Sequence, residues 1–276
     1  MNDTPFDVEA FRDFERAAHN RIAGSYQAFF EPVTQHAVDL LLDMAQVVAG
    51  TQLLDVATGP GGTAAKAAAR GALVTGVDLA PQMVALAAQR YPTIAFRVAD
   101  VETLPFEGGC FDAVVCNFGL GHFPRPPQAV AECVRVLRPG GMLSLSWWDV
   151  PSRTRLQGIL IEAQQEVGVI PPPDLPPGPP MYRFSADDEL AGLLSSACLI
   201  QVVVQTHSFT HQVATPEALW TGALGSLART AATIREQTIE IQQRVRTVFE
   251  RLVQTYTTEE GVALPMVYKI AAGRKP

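Results

Sequence analysis

Three carboxylates and a group of glycines recur at a spacing that suits a nucleotide-like ligand. Asp55 stands in Leu53-Leu54-Asp55-Val56-Ala57-Thr58-Gly59-Pro60-Gly61-Gly62, where an apolar run meets an acid and then a turn. Asp78 closes the run from Leu73, and Asp100 closes the run from Ile94. Glycines lack a Cβ, so the backbone can turn sharply and a ligand can approach closely. An acid after the second strand is suited to accept hydrogen bonds from a ribose diol. An acid after the third can accept from the exocyclic amine of an adenine. Each aspartate taken singly also fits a helix N-cap or a turn former. Gly59-Pro60-Gly61-Gly62-Thr63-Ala64 further fits a degenerate G-x-G-x-x-A dinucleotide fingerprint, which leaves hydride chemistry, methyl chemistry and a plain turn all open.

The candidates for proton transfer are His122, Tyr26, His19, His36 and Asp149. His122 follows Asn117-Phe118-Gly119-Leu120-Gly121, directly after a predicted strand, and equally suits a residue that fixes that loop. Tyr26 lies between two predicted N-terminal helices, as a lid or as packing. Trp147-Trp148, Phe29, Phe30, Phe118 and Phe123 hint at an apolar or aromatic partner molecule, although aromatic pairs at strand ends more often belong to the core.

The elements that must position these residues follow from periodicity. Residues 6–23 and 32–48 read as two helices joined near Gly24-Ser25-Tyr26. Strands are expected at 51–57, 73–78, 94–99, 112–118 and 142–148, with helices at 62–70, 81–91 and 126–137 between them. That alternation implies a parallel sheet with right-handed crossovers, whose strand C-termini open on one edge. Leu137-Arg138-Pro139-Gly140-Gly141 reads as a helix stop. A helix is expected at 153–168. Seven prolines between Pro171 and Pro180 then make a stiff exposed loop, either an active-site flap or a spacer. Ser185-Ala186-Asp187-Asp188 reads as a capping box, Leu199 to His211 as a strand, Thr215-Pro216 as a helix start, and Thr233 to Thr255 as one long helix. Ala263 to Ala272 closes the chain as a seventh strand.

The fold class is thus α/β, a Rossmann-like, mostly parallel seven-stranded sheet with N-terminal helices and a helical cap before the last strand. The expected division is a helical lid over 1–50, a core over 51–212, a helical insertion over 213–262 and the last core strand over 263–276. The insertion serves as a cap over a bound molecule or as a homodimer surface.

Composition bounds the function. The 276 residues are 47% hydrophobic and 18% charged, as in a globular chain. A net charge of −7, with no basic stripe, argues against a nucleic-acid partner. Cys110, Cys116, Cys133 and Cys198 have no C-x-x-C spacing, so neither a metal site nor a disulfide framework is expected. The acidic start Met1 to Asp7 lacks an apolar leader and no run reaches spanning length, so no membrane insertion and a cytoplasmic location are expected.

In combination the motifs resemble class I S-adenosylmethionine-dependent methyltransferases, of the branch that includes the ubiquinone and menaquinone biosynthesis methyltransferases. The resemblance rests on Leu54 to Gly62, Gly76-Val77-Asp78-Leu79-Ala80-Pro81-Gln82-Met83, Val98 to Phe106, Phe111 to Phe118 and Val136 to Gly141. It covers roughly residues 50–150. It implies S-adenosyl-L-methionine as cofactor, with Gly59 and Gly61 under its methionyl end and ribose and Asp55 orienting the turn. Asp78 would hold the ribose hydroxyls, Leu79 and Met83 would pack on the adenine, and Asp100 with Val101 would take its amine. Asn117 and Phe118 would lie by the sulfonium, and Tyr26, Ala57, Thr58 and Glu102 complete the implied cofactor set. His122 and Tyr26 are the catalytic candidates. Pro60 departs from the family pattern and removes one backbone donor. The activity implied is methyl transfer to a small-molecule acceptor, such as a quinol or polyketide. The alternatives are a cofactor-binding protein without transfer (a cyclase or binding module) and an NAD-dependent oxidoreductase.

Overall fold

Runs such as Leu53-Leu54-Asp55-Val56 and Ala113-Val114-Val115-Cys116 are buried along their whole length, as strands covered on both faces must be. The computed structural model describes residues 6–276. It opens with α1 (Val8–Ser25), a π-helical turn over Tyr26–Phe30, α2 (Glu31–Thr34), a 3₁₀ turn over Gln35–Ala37 and α3 (Val38–Met44). The alternating region runs β1 (Gln52–Val56), α4 (Gly62–Ala69), β2 (Leu73–Asp78), α5 (Pro81–Arg90), β3 (Ala95–Val98), β4 (Phe111–Asn117), α6 (Pro126–Val136) and β5 (Leu137–Trp148). After it come α7 (Arg155–Val167), α8 (Asp187–Ser196), β6 (Ile200–Val213), α9 (Pro216–Ser226), α10 (Ala228–Arg235), α11 (Ile239–Val253), β7 (Thr257–Thr258) and β8 (Gly261–Arg274).

The sheet order is β3-β2-β1-β4-β5-β8-β6, with β7 paired to β8 as an eighth, two-residue strand. β1 to β5 are parallel, and β8 runs antiparallel to both β5 and β6. The winding direction reverses between β1 and β4. A crevice therefore opens beyond their C-terminal ends, the usual place for a ligand in such sheets.

Several local expectations are corrected. The N-terminal helix does not break at Gly24-Ser25-Tyr26, because no residue there leaves helical backbone; α1 passes straight into the π turn. Ser185 does not cap α8. Its hydroxyl donates to the Trp148 carbonyl instead, and Ala186 stands at the cap position with no side-chain bond. The expected single helix from Thr233 to Thr255 is two helices, broken after Arg235 and restarted at Thr238, whose hydroxyl caps α11 by accepting from the Ile241 N–H. Gly140 does take a positive φ of 80°, but the segment from Leu137 already belongs to β5, with an irregularity opposite Phe111 to Ala113. Thr215 caps α9 as expected, accepting from the Ala218 N–H. Of the acidic start, Met1 to Pro5 lies outside the described residues. Among those described, no helix is long and apolar enough to cross a membrane.

Candidate active site

A cavity of about 410 Å³ lies over the C-terminal ends of β1, β2, β4 and β5, under α1, the π turn and α10. The turn after β1 makes part of its floor. Ala57 and Phe118, at the ends of β1 and β4, both hold positive φ (54° and 57°), an uncommon state for residues with a Cβ. Both line the cavity, so backbone strain is concentrated at this edge. Gly59 has φ 54°, and a Cβ added there would meet only open space. Gly61 also has a positive φ, but a Cβ there would crowd Tyr91, Ala87 and Phe96; its role is packing.

Asp55 is off the cavity wall. It is 1% exposed, and its Oδ2 accepts from the Thr58 hydroxyl at 2.6 Å, tying the turn to the strand. Burial pushes its carboxyl up to about 7. Thr58 shares that internal role. Asp78 does line the cavity: Oδ2 accepts from the Gly59 N–H and Oδ1 from the Ala80 N–H, each at 2.9 Å. Burial outweighs these two bonds and holds its carboxyl above the ordinary value. Each oxygen keeps a second lone pair for a ligand hydroxyl.

Leu79, Met83, Asp100 and Val101 continue the wall. Asp100 Oδ1 accepts from the Glu102 N–H at 2.8 Å, and Arg12 Nε stands 2.8 Å from Oδ2. Glu102, in contrast, turns away from the cavity. Its fully buried carboxylate is clamped by the guanidinium groups of Arg12 and Arg125 at 2.7 Å each. Asn117 lines the wall with its amide held on both sides, donating to the Thr34 carbonyl at 3.2 Å and accepting from Ser146 Oγ at 2.7 Å. Phe118 stacks on Trp148 with ring centroids 3.8 Å apart.

Beyond Phe118 the cavity becomes apolar and aromatic. Phe30, Trp147, Trp148, Met181 and Tyr182 border it, joined by Gln157, whose buried Oε1 has no hydrogen-bond partner. The proline-rich loop is pinned here. Trp147 Nε1 donates to the Met181 carbonyl at 2.8 Å, and Arg229 donates to the Pro176 carbonyl at 2.6 Å. A Cβ on Gly178 would overlap the Phe11 ring of α1.

The proton-transfer candidates separate clearly. Tyr26 borders the cavity, but burial raises its phenol well above the ordinary value, so the hydroxyl stays protonated near neutral pH. His36 stacks on Phe209 at 4.0 Å and lies off the cavity. Asp149 is likewise off it, paired with Arg153 at 2.7 Å. His122 and His19 both line it, with ring centroids 4.9 Å apart. Between them stands Glu15, which sequence reasoning missed together with Arg12, Gln157 and Arg229. The one available signal was the i, i+4 spacing of Glu15 and His19 on an amphipathic helix.

The site thus offers acidic acceptors for a diol and an amine at one end, and flat apolar surface with one free amide oxygen at the other. Residues 54–145 match the family model described as a methyltransferase domain. A demethylmenaquinone methyltransferase of Chlorobaculum tepidum is 45% identical over 91 residues, covering 33% of this chain and 38% of that relative. The chain spans between 38% and 54% of the length of such curated relatives. Among solved structures, the YcgJ protein from Bacillus subtilis has a TM-score of 0.57 at 20% identity, covering 87% of this chain and 98% of its own. A Haemonchus contortus phosphoethanolamine N-methyltransferase has a TM-score of 0.60 at 19% identity, over 96% of this chain and 60% of its own. Residues 54–145 are thus similar to the methyltransferase domain family and to demethylmenaquinone methyltransferases.

Proposed function

We propose that this protein is an S-adenosylmethionine-dependent methyltransferase acting on a small, largely apolar acceptor with an aromatic body. The observation that carries this reading is the convergence of Gly59, Asp78, Asp100 and Asn117 on one wall of a cavity whose other end is aromatic. The residues present fit the cofactor: Gly59 leaves open space where a Cβ would stand, and both Asp78 oxygens retain free lone pairs. Asp78 would hold the ribose hydroxyls, with Leu79 and Met83 against the adenine and Asp100 and Val101 at its amine. Ala57, Gly59, Asn117 and Phe118 would border the methionyl group, with Tyr26 above. Asp55, Thr58, Gly61 and Glu102 would act one layer out, by shaping the turn and holding α1 down.

When bound, the cofactor supplies an electrophilic methyl group on a positively charged sulfur. The chain's contribution is to hold the acceptor in line and keep water out, an effect worth ~7–11 kcal/mol. Trp148 and Phe118 offer a flat face for the acceptor, and Gln157 Oε1 offers it one hydrogen-bond acceptor. His122, which lines the same cavity, would take a proton where the acceptor carries one.

The similarity to demethylmenaquinone methyltransferase supports a reduced quinone or related phenol as acceptor. The test is a calorimetric titration with S-adenosylhomocysteine and, separately, NADH. It is followed by incubation with S-adenosylmethionine and a panel of reduced quinones, phenols and amines. The expected result is S-adenosylhomocysteine binding and a methylated quinol or phenol detected by mass. Binding of NADH in place of S-adenosylhomocysteine would overturn the reading. So would S-adenosylhomocysteine binding with no methylated product from any acceptor, which would favour a cofactor-binding protein without transfer.

A further inference from the structure

Glu15 is a carboxylate on α1 with only 3% of its surface exposed, where an uncompensated charge is strongly unfavourable. Its Oε2 lies 2.9 Å from His122 Nδ1 and 3.4 Å from His19 Nδ1, while Oε1 has no hydrogen-bond partner. An ionised carboxylate can only accept, so the Nδ1 of His122 must carry the proton in this contact. In the neutral ring that leaves Nε2 with a free lone pair, on a side chain that borders the cavity. The ring is held from two further sides, by the edge of His19 at 4.9 Å and by Trp147 at 5.8 Å.

Building on the methyl-transfer reading, we propose that Glu15 is a positioning residue that sets His122 as the proton acceptor of the reaction. The acceptor is then one that must lose a proton as it is methylated: a phenolic or enolic hydroxyl, or an acidic carbon. In the hydroxyl case the O–H proton passes to Nε2 of His122, and the oxygen's electron pair forms the new O–CH₃ bond. The C–S bond breaks with its electron pair left on sulfur. The products are the methyl ether, S-adenosylhomocysteine and an imidazolium paired with Glu15. No further oxidant or reductant is needed.

The surroundings favour this charge arrangement. Besides Glu15, the charged and titratable groups facing the pair are His19 from α1, Asp78 from β2 and Arg229 from α10. Burial alone would raise the Glu15 carboxyl, but His122, His19 and Arg229 outweigh it and hold it below its ordinary value. Burial and the neighbouring His122 hold His19 below its ordinary value despite Glu15. Asp78, on the cofactor side, adds a second favourable interaction with an imidazolium.

The same three side chains also present ligand atoms within 4.8 Å of one another, a spacing a divalent cation would accept. One experiment separates the two. Imidazole nitrogens of the full-length ¹⁵N-labelled protein are followed by NMR against pH with S-adenosylhomocysteine bound, the His122 signals being assigned with H122N. The expected result is the Nδ1–H tautomer for neutral His122. That tautomer should lose population to the Nε2–H form in E15Q and be restored in E15D, whose shorter carboxylate still accepts from Nδ1. Affinity for S-adenosylhomocysteine should change little and reports that the variants fold. An unchanged His122 tautomer in E15Q would overturn the proposal. So would tight one-to-one Zn²⁺ binding that shifts His19 and His122 together, since both nitrogens would then be ligands. Neither readout depends on product formation. A dyad seen without methyl transfer to any acceptor would therefore count against the function alone.

Discussion

Asp78 and Asp100 reach the cavity from the ends of neighbouring strands, whereas Gln157 and Arg229 reach it from α7 and α10. At the first end, position is a matter of backbone. Asp78 is fixed by the N–H groups of Gly59 and Ala80, and Asp100 by that of Glu102. At the second end, position is a matter of side-chain packing between distant segments. Phe30, Trp148 and Phe118 form one aromatic run, with centroids 6.0 Å and 3.8 Å apart, drawn from the N-terminal helices and two strands. A rigid strand edge suits a ligand shared by a whole family, while a surface of packed helices can change without disturbing the sheet. The comparison predicts that changes at the acidic end act on the cofactor or the turn, and changes at the aromatic end on the acceptor alone.

The largest expected effect is on the turn itself. Asp55 has a folded-state carboxyl raised from 3.8 to about 7, so its contribution is fully present below its unfolded value and is lost as pH rises through 7. Wild-type stability should therefore fall across pH 4 to 8 relative to Asp55→Asn, by roughly 4 kcal/mol. Chemical denaturation of both proteins at several pH values checks this; parallel curves would remove Asp55 from the account of the turn.

Next comes Asp78→Ala, which should weaken S-adenosylhomocysteine binding by about 30- to 150-fold, from the loss of charge-assisted hydrogen bonds of ~2–3 kcal/mol. Calorimetry measures it, and an affinity near wild type would place the adenosine elsewhere. Gly178→Val tests the proline-rich loop. Its side chain would collide with Phe11, so a lower melting temperature corresponding to roughly 1–3 kcal/mol is expected. If the melting temperature holds, the loop is not braced on α1. The smallest effect is expected from Gln157→Leu, which should raise the acceptor KM about tenfold, one neutral hydrogen bond of ~1.4 kcal/mol, with cofactor affinity unchanged. A matching loss of cofactor affinity would show that the two ends are not separable.

Legibility in the sequence follows the same division. The five parallel strands, their crossovers and the strand-end acids were readable because each depends on a short run of consecutive residues. The π turn after α1, the break between α10 and α11 and the loss of the Ser185 cap were not. At Ser185 a tertiary contact overrode the local preference, its hydroxyl bonding to the Trp148 carbonyl. Among the implied cofactor residues, Asp55, Thr58, Gly61 and Glu102 carry the right motif but face inward, since a one-residue change of direction at a turn is invisible in a linear pattern.

By itself, then, the sequence determined the alternating sheet, the edge on which it opens and the residue types on that edge, because periodicity and glycine placement constrain backbone directly. Only the tertiary structure decided which of those side chains face the cavity and that Glu15 meets His122, more than a hundred residues away in the chain. It also decided that Gln157 keeps a free oxygen there. Such pairings depend on how helices pack across the sheet, and no local pattern encodes the angle at which they arrive.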